Sequence, residues 1–243
     1  MTLIVALRCR DGVVIASDSQ ATVSQFISQP AKMHTKKLSP LGKRAVWASA
    51  GDVGLQQKIA DILAAHPTPG IWENDVKEIR QNFKDIVIPV MKKALMEYVP
   101  ATQKASLATA HLLVAGRTRG RSWILEVDPN GTDTLNDEFG FCAVGSGSIF
   151  AHHALADIRH HCVHEQSTFY GQVLAHRVVN GAIECAASGL GGPVQMWAVT
   201  DDGARELDDA ALKEVADTVG LWKELEMENL SSLLNPPEPS ASQ

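Results

Sequence analysis

LIVALRCRDGVVIASDSQAT, residues 3–22, sets two short apolar runs on either side of the turn pair Asp11-Gly12. The runs 3–8 and 13–17 are rich in β-branched residues, and Asp-Gly between two such runs is a strong short-range hairpin signal. The second run leads into Asp18, and Thr2 stands just before the first. If Met1 is removed, Thr2 becomes an N-terminal threonine whose hydroxyl lies within reach of its own α-amine. That pair is one of the few ways to activate an alcohol nucleophile without a histidine. A small second residue favours removal of Met1 in the cell. Met1 is followed directly by a strand-like run without a basic leader, so no secretory signal is expected.

Composition narrows the classes around this hairpin. A chain of 243 residues with 45% hydrophobic and 21% charged residues suits one domain with a single core. No apolar run approaches the roughly 18 residues of a bilayer span, so a soluble protein with no membrane partner is expected. Cys9, Cys142, Cys162 and Cys185 lie far apart with no CxxC spacing, which predicts reduced, buried thiols, a cytoplasmic location and no metal site. The net charge is −6, and from Asp201 onward eleven acidic residues face three basic ones, so the preceding body is slightly positive. The local cluster Lys32, Lys36, Lys37, Lys43 and Arg44 has no interleaved aromatics, and no nucleic-acid partner is expected.

Working outward, strands are predicted over 33–39 and 44–50, separated by a Pro40-Leu41-Gly42 turn, with a helix beginning after Gly51. Helices follow over 53–65 and 73–98, the second interrupted at Pro89. A second series of strands is predicted over 107–116, 122–128, 131–135 and 141–144, then helices over 148–165 and 168–187, then a closing strand over 194–200 that turns at Asp201-Asp202-Gly203. This order implies an α+β fold, a four-layer αββα sandwich of two mostly antiparallel sheets with helices outside. The division expected is a domain over 2–207, a helical extension over 208–234 and a disordered tail over 235–243. In the extension Leu212, Val215, Ala216, Val219 and Trp222 fall on one stripe.

Asp18 at the end of the hairpin, Lys37 in the next strand and Gly51 at a strand-to-helix junction are the other parts that an N-terminal-threonine hydrolase needs. With the run DGVVIASDSQAT, Lys36-Lys37-Leu38, Ala50-Gly51 and Gly145-Ser146-Gly147-Ser148 in that order, the chain resembles the proteasome β-subunit/HslV family of N-terminal-nucleophile (Ntn) threonine peptidases over 2–202. The nearer likeness is to stand-alone bacterial homologues of the kind described from β-proteobacteria, because of the C-terminal helix. The resemblance implies the αββα Ntn-hydrolase fold and, residue by residue, the following roles. Thr2 is the nucleophile, and its amine accepts the proton. Lys37 is a cation that lowers the hydroxyl pKa, and Asp18 holds it. The Gly51 N–H serves as oxyanion donor and Ser146 bonds near the amine. Ala21, Thr35, Ser49 and Val53 line a substrate pocket that is small and mostly neutral. Lys36 remains a rival to Lys37. The family's late aspartate, before Ser-Gly-Gly, has no counterpart in 186–192, where Ser188 could serve instead.

The resemblance also implies stacked homo-oligomeric rings, a tetradecamer with a dodecamer as alternative, acting on unfolded polypeptides without a cofactor; an unfoldase partner is not legible. Two other functions stay open: a proteasome-like cage that no longer cleaves, and an Ntn amidase for a small amide. His153, His160 and His164 fall near one face of the expected 148–165 helix, but with His152 and His161 they are read as solvated or interface histidines. Residues 145–151 come close to a dinucleotide fingerprint and lack the later acid and the βαβ order.

Overall fold

A computed structural model describes residues 1–23, 31–65, 71–102, 109–136, 139–185 and 189–235. The opening hairpin forms as β1 (Ile4–Arg8) and β2 (Gly12–Ser17), paired antiparallel with Ile4 opposite Ser17 and Arg8 opposite Val13. A short ribbon, β3 (Gln20–Val23) with β4 (Ala31–His34), follows, then β5 (Leu38–Leu41) and β6 (Ala45–Gly51). The single strand expected over 33–39 is therefore two strands. Residues 35–37 lie between them, outside the ladders, and the turn falls after Leu41 because Pro40 and Leu41 still pair with Val46 and Ala45.

Helix α1 (Val53–Ala65) matches its expected span. Helix α2 (Val76–Asn82) starts at Asp75, whose carboxylate accepts from the Lys77 N–H, and runs through a π turn (Phe83–Val87) into α3 (Ile88–Thr102). Pro89 neither ends nor breaks the path: the wide turn places the Ile88 N–H on Phe83 O just before the residue that has no N–H to give. Strands β7 (Ala110–Thr118), β8 (Arg121–Val127), β9 (Asp133–Leu135) and β10 (Phe141–Val144) come next. Helix α4 (Ser148–Asp157) is shorter than expected and gives way to two 3-10 turns, Arg159–His161 and Val163–Glu165, hinged on Cys162 with φ +47°. Helix α5 (Thr168–Cys185), β11 (Gln195–Thr200), β12 (Gly203–Glu206) and α6 (Asp209–Leu234) complete the chain, β12 being unforeseen. The expected tail lies outside the described residues from 236 on.

Among the described residues the strands pair antiparallel, and they build two five-stranded sheets, β10-β1-β2-β11-β12 and β5-β6-β7-β8-β9. Period-two alternation then sorts side chains into three apolar layers. Ile4, Ala6, Val13 and Ile15 meet Val46, Ala48, Leu113 and Ile124 between the sheets. Leu3, Val5, Val14 and Ala16 face α4, α5 and the start of α6. Trp47, Leu112, Val114 and Leu125 face α1 to α3. The expected four-layer αββα sandwich is the fold. Among the described residues no helix is long and apolar enough to cross a membrane.

Candidate active site

Thr2 lies at the head of β1, where the alternation that buries Leu3 brings it beside the turn after β10. The Thr2 N–H donates to Ser146 Oγ at 3.2 Å, and Thr2 O accepts from the Gly147 N–H at 3.0 Å. Gly145 has φ +93°, and a Cβ there would run into Thr2 O, so only glycine lets this turn close on the Thr2 backbone. Asp18, fully buried, accepts at Oδ1 from the Leu3 N–H at 2.9 Å and at Oδ2 from the Gln20 N–H at 3.2 Å and the Gly191 N–H at 3.4 Å. Its position is thus fixed by three backbone donors from three segments.

Lys37 completes the group. Its Nζ lies 2.7 Å from Asp18 Oδ1 and 3.3 Å from Thr2 Oγ1, with the side chain 7% exposed. Burial pushes the Lys37 ammonium below its ordinary pKa, and the Asp18 carboxylate pulls the other way without restoring it. Gln195 of β11, which the sequence did not single out, clamps the approach. Its Oε1 accepts from the Lys37 N–H at 2.9 Å and its Nε2 donates to Thr35 O at 2.7 Å. Lys36 points elsewhere, to Glu206 at 3.2 Å, so the rivalry between the two lysines resolves in favour of Lys37 as the one beside Thr2.

Gly51 ends β6 with φ +130°, and a Cβ on it would overlap Thr109 O. Asp52 N–H bonds Thr109 O across the β6–β7 ladder, so by the antiparallel alternation Gly51, opposite Ala110, turns its own N–H away from β7, past the end of β5. Lys37, held by the strand-end Asp18 carboxylate, thus reaches the Thr2 hydroxyl, and Gly51 lines the same cavity. Residues 2–189 match the family model described as Proteasome subunit. The chain belongs to the proteasome subunit family. Among relatives of this family, the proteasome subunit beta of Archaeoglobus fulgidus is 30% identical over 156 residues, covering 64% of this chain and 67% of that one. That of Archaeoglobus profundus is 28% identical over 219 residues, covering 90% and 93%. The solved structure of Anbu (ancestral beta-subunit) from Yersinia bercovieri superposes with a TM-score of 0.70 at 15% identity over 99% of this chain and 100% of that chain, a likeness of fold.

In this proteasome-family subunit a cavity of about 660 Å³ opens on Thr2. Ala21, Thr35, Ser49 and Val53, the residues predicted to form a substrate pocket, all line it. Gln56 was missed: its Nε2 donates to Gly51 O at 2.9 Å and its Oε1 accepts from Ser49 Oγ at 3.0 Å, which ties α1 to the end of β6. His111, also missed, lines the same cavity. Met1 lies in the wall, its side chain against Gly189, and while it is attached the Thr2 nitrogen is an amide. Ser188 lies outside the described residues.

The histidines after α4 do not share a helix face, because the helix stops at Asp157. His160 stacks on His161, and His161 meets Tyr170 Oη and the edge of Trp222. Cys9 and Cys142 are buried free thiols, whereas Cys162 and Cys185 are exposed, contrary to the expectation that all four are buried.

Proposed function

We propose that this chain is the N-terminal-threonine endopeptidase subunit of a proteasome-like ring of fourteen or twelve copies, cleaving unfolded polypeptides and working once Met1 has been removed. The observation that carries the reading is Lys37 Nζ held between Thr2 Oγ1 and Asp18 Oδ1 at 3.3 and 2.7 Å. A buried ammonium at that distance favours the alkoxide form of the hydroxyl. Thr2 Oγ attacks the scissile carbonyl while the freed α-amine, facing Ser146, takes the proton and later delivers it to the leaving amine. The Gly51 N–H stabilises the oxyanion, a contribution of about 3 kcal/mol for one such donor. Water then hydrolyses the Thr2 ester, with the amine as base. Confinement in a ring would limit substrates to chains that can thread in.

Intact-mass measurement after treatment with a β-lactone tests this. On protein whose chain begins at Thr2, a single adduct is expected; Thr2→Ala and Lys37→Ala are expected to lose it, and Lys36→Ala to keep it. No adduct on such a chain overturns the reading. One observation favours the non-cleaving cage instead: the stretch 186–192 has no acid where the family carries its late aspartate. A full adduct without peptide turnover would support that reading or the small-amide one.

A further inference from the structure

His111 and Glu126 lie at diagonal positions of β7 and β8, with their side chains at the end of the layer between the sheets. His111 Nε2 and Glu126 Oε1 are 2.7 Å apart, and Glu126 Oε2 accepts from Asn136 Nδ2 at 3.0 Å and Cys142 Sγ at 3.3 Å. These donors hold the Glu126 carboxyl down at about 2, so it is ionised and accepts only. Nε2 therefore carries the imidazole's proton, and in neutral His111 the remaining Nδ1 is an acceptor. No hydrogen bond from the described residues reaches it.

His111 lines the cavity that opens on Thr2, and Glu126 stands behind it, bonded to its Nε2. His111 is opposite Ala50 in the ladder, and Ala50 Cβ packs against the Gly145 backbone that closes on Thr2 O. The charges around the cavity are unequal in a telling way. Lys37 is neutralised by Asp18 at 2.7 Å and Lys36 by Glu206 at 3.2 Å. Glu126 has only neutral donors and an imidazole, with no lysine or arginine bonded to it among the described residues. Behind His111, then, the wall carries a negative charge that no fixed cation answers.

We propose that His111 and Glu126 form a second subsite of this cavity, hydrogen-bond accepting and net negative, that takes a lysine or arginine side chain close to the scissile bond. The proposal rests on the reading of the ligand as a polypeptide. His111 Nδ1 accepts from the incoming ammonium or guanidinium, and Glu126 supplies the charge through the imidazole. Asn136 and Cys142 keep the carboxylate in place.

Equilibrium binding to the full-length Thr2→Ala chain tests it, since no turnover is needed. Three short fluorescent peptides differing at one residue, lysine, norleucine or glutamate, are compared at about pH 8.5, above the ordinary imidazole range. The lysine peptide is expected to bind about tenfold tighter than the norleucine peptide, as one charge-assisted hydrogen bond provides, with the glutamate peptide weakest. Glu126→Gln should bring the lysine-to-norleucine ratio close to one. Equal binding in the starting protein, or a ratio that survives Glu126→Gln, overturns the proposal. If Glu126→Gln does not assemble, His111→Phe, which removes the acceptor, gives the same reading. Failure of the peptidase reading shows separately, as a missing Thr2 adduct with the lysine preference intact.

Discussion

Lys37, which lines the cavity on Thr2, and Glu126, which lies behind His111, are handled in opposite ways. Lys37 has lost more by desolvation than Asp18 returns, which leaves it a softer cation than a surface lysine, close enough to Thr2 Oγ1 to share its proton. Glu126 gains more from its donors than burial removes, which brings its carboxyl from 4.5 to about 2. The unfolded chain therefore binds a proton on Glu126 at a higher pH than the folded one does. Glu126 stabilises the fold fully above about 4.5, and that contribution fades as pH falls toward about 2. Urea midpoints of the original chain and Glu126→Gln, followed from neutral pH downward, should differ most at neutral pH and converge toward about pH 2. A difference that is constant across that range would remove the linkage.

At the scale of elements, α6 is joined to α5 by a compact contact beside the Lys223–Glu184 ion pair. Arg177 of α5 lies over the Trp222 ring at 3.7 Å and forks onto Glu226 at 2.8 and 2.7 Å, while Val215 and Val219 are buried about two turns and one turn earlier. Trp222 is half-buried, so Trp222→Ala should cost about 2 kcal/mol, below the roughly 3–5 kcal/mol of a fully buried tryptophan. A double-mutant cycle with Arg177→Ala should give a coupling of about 0.5–1 kcal/mol in chemical denaturation, and zero coupling would mean that the stack is incidental. The stripe behind this contact was legible in the sequence because helical periodicity is local. So were β10 and α1, bounded by Gly and by the change of period. The break at 35–37 was not, because what holds those residues out of the ladders is Gln195, far along the chain. The site divides the same way. Thr2, Asp18, Lys37, Gly51 and Ser146 are candidates singled out by their order along the chain. His111 and Glu126 each sit as a single ionisable residue in an apolar run, HLLVAG and WILEV, and only the β7–β8 register makes them a pair. A polar residue at an inward-facing strand position was the available signal.

The whole molecule carries apolar surface that its own fold does not cover. Ile149 and Phe150 at the start of α4 and Phe169 at the start of α5 are exposed, as are Leu221, Leu225, Met227, Leu230, Leu233 and Leu234 along α6. Beyond Trp222 every residue of α6 is exposed, and past Glu226, which Arg177 holds, about two turns of helix run on. A free-standing helix of that length is marginal in water, and its leucines would favour burial over solvation by roughly 1.5–3 kcal/mol each. In a proteasome-family subunit these faces fit a molecule that completes its burial by self-association, and a ring has a definite stoichiometry where nonspecific clustering does not. Native mass spectrometry should therefore give one dominant species of fourteen copies, or of twelve, that persists on dilution to about 1 µM. A monomer at that concentration would mean that Thr2 faces open solvent, and the argument from confinement would fail even if the β-lactone adduct forms.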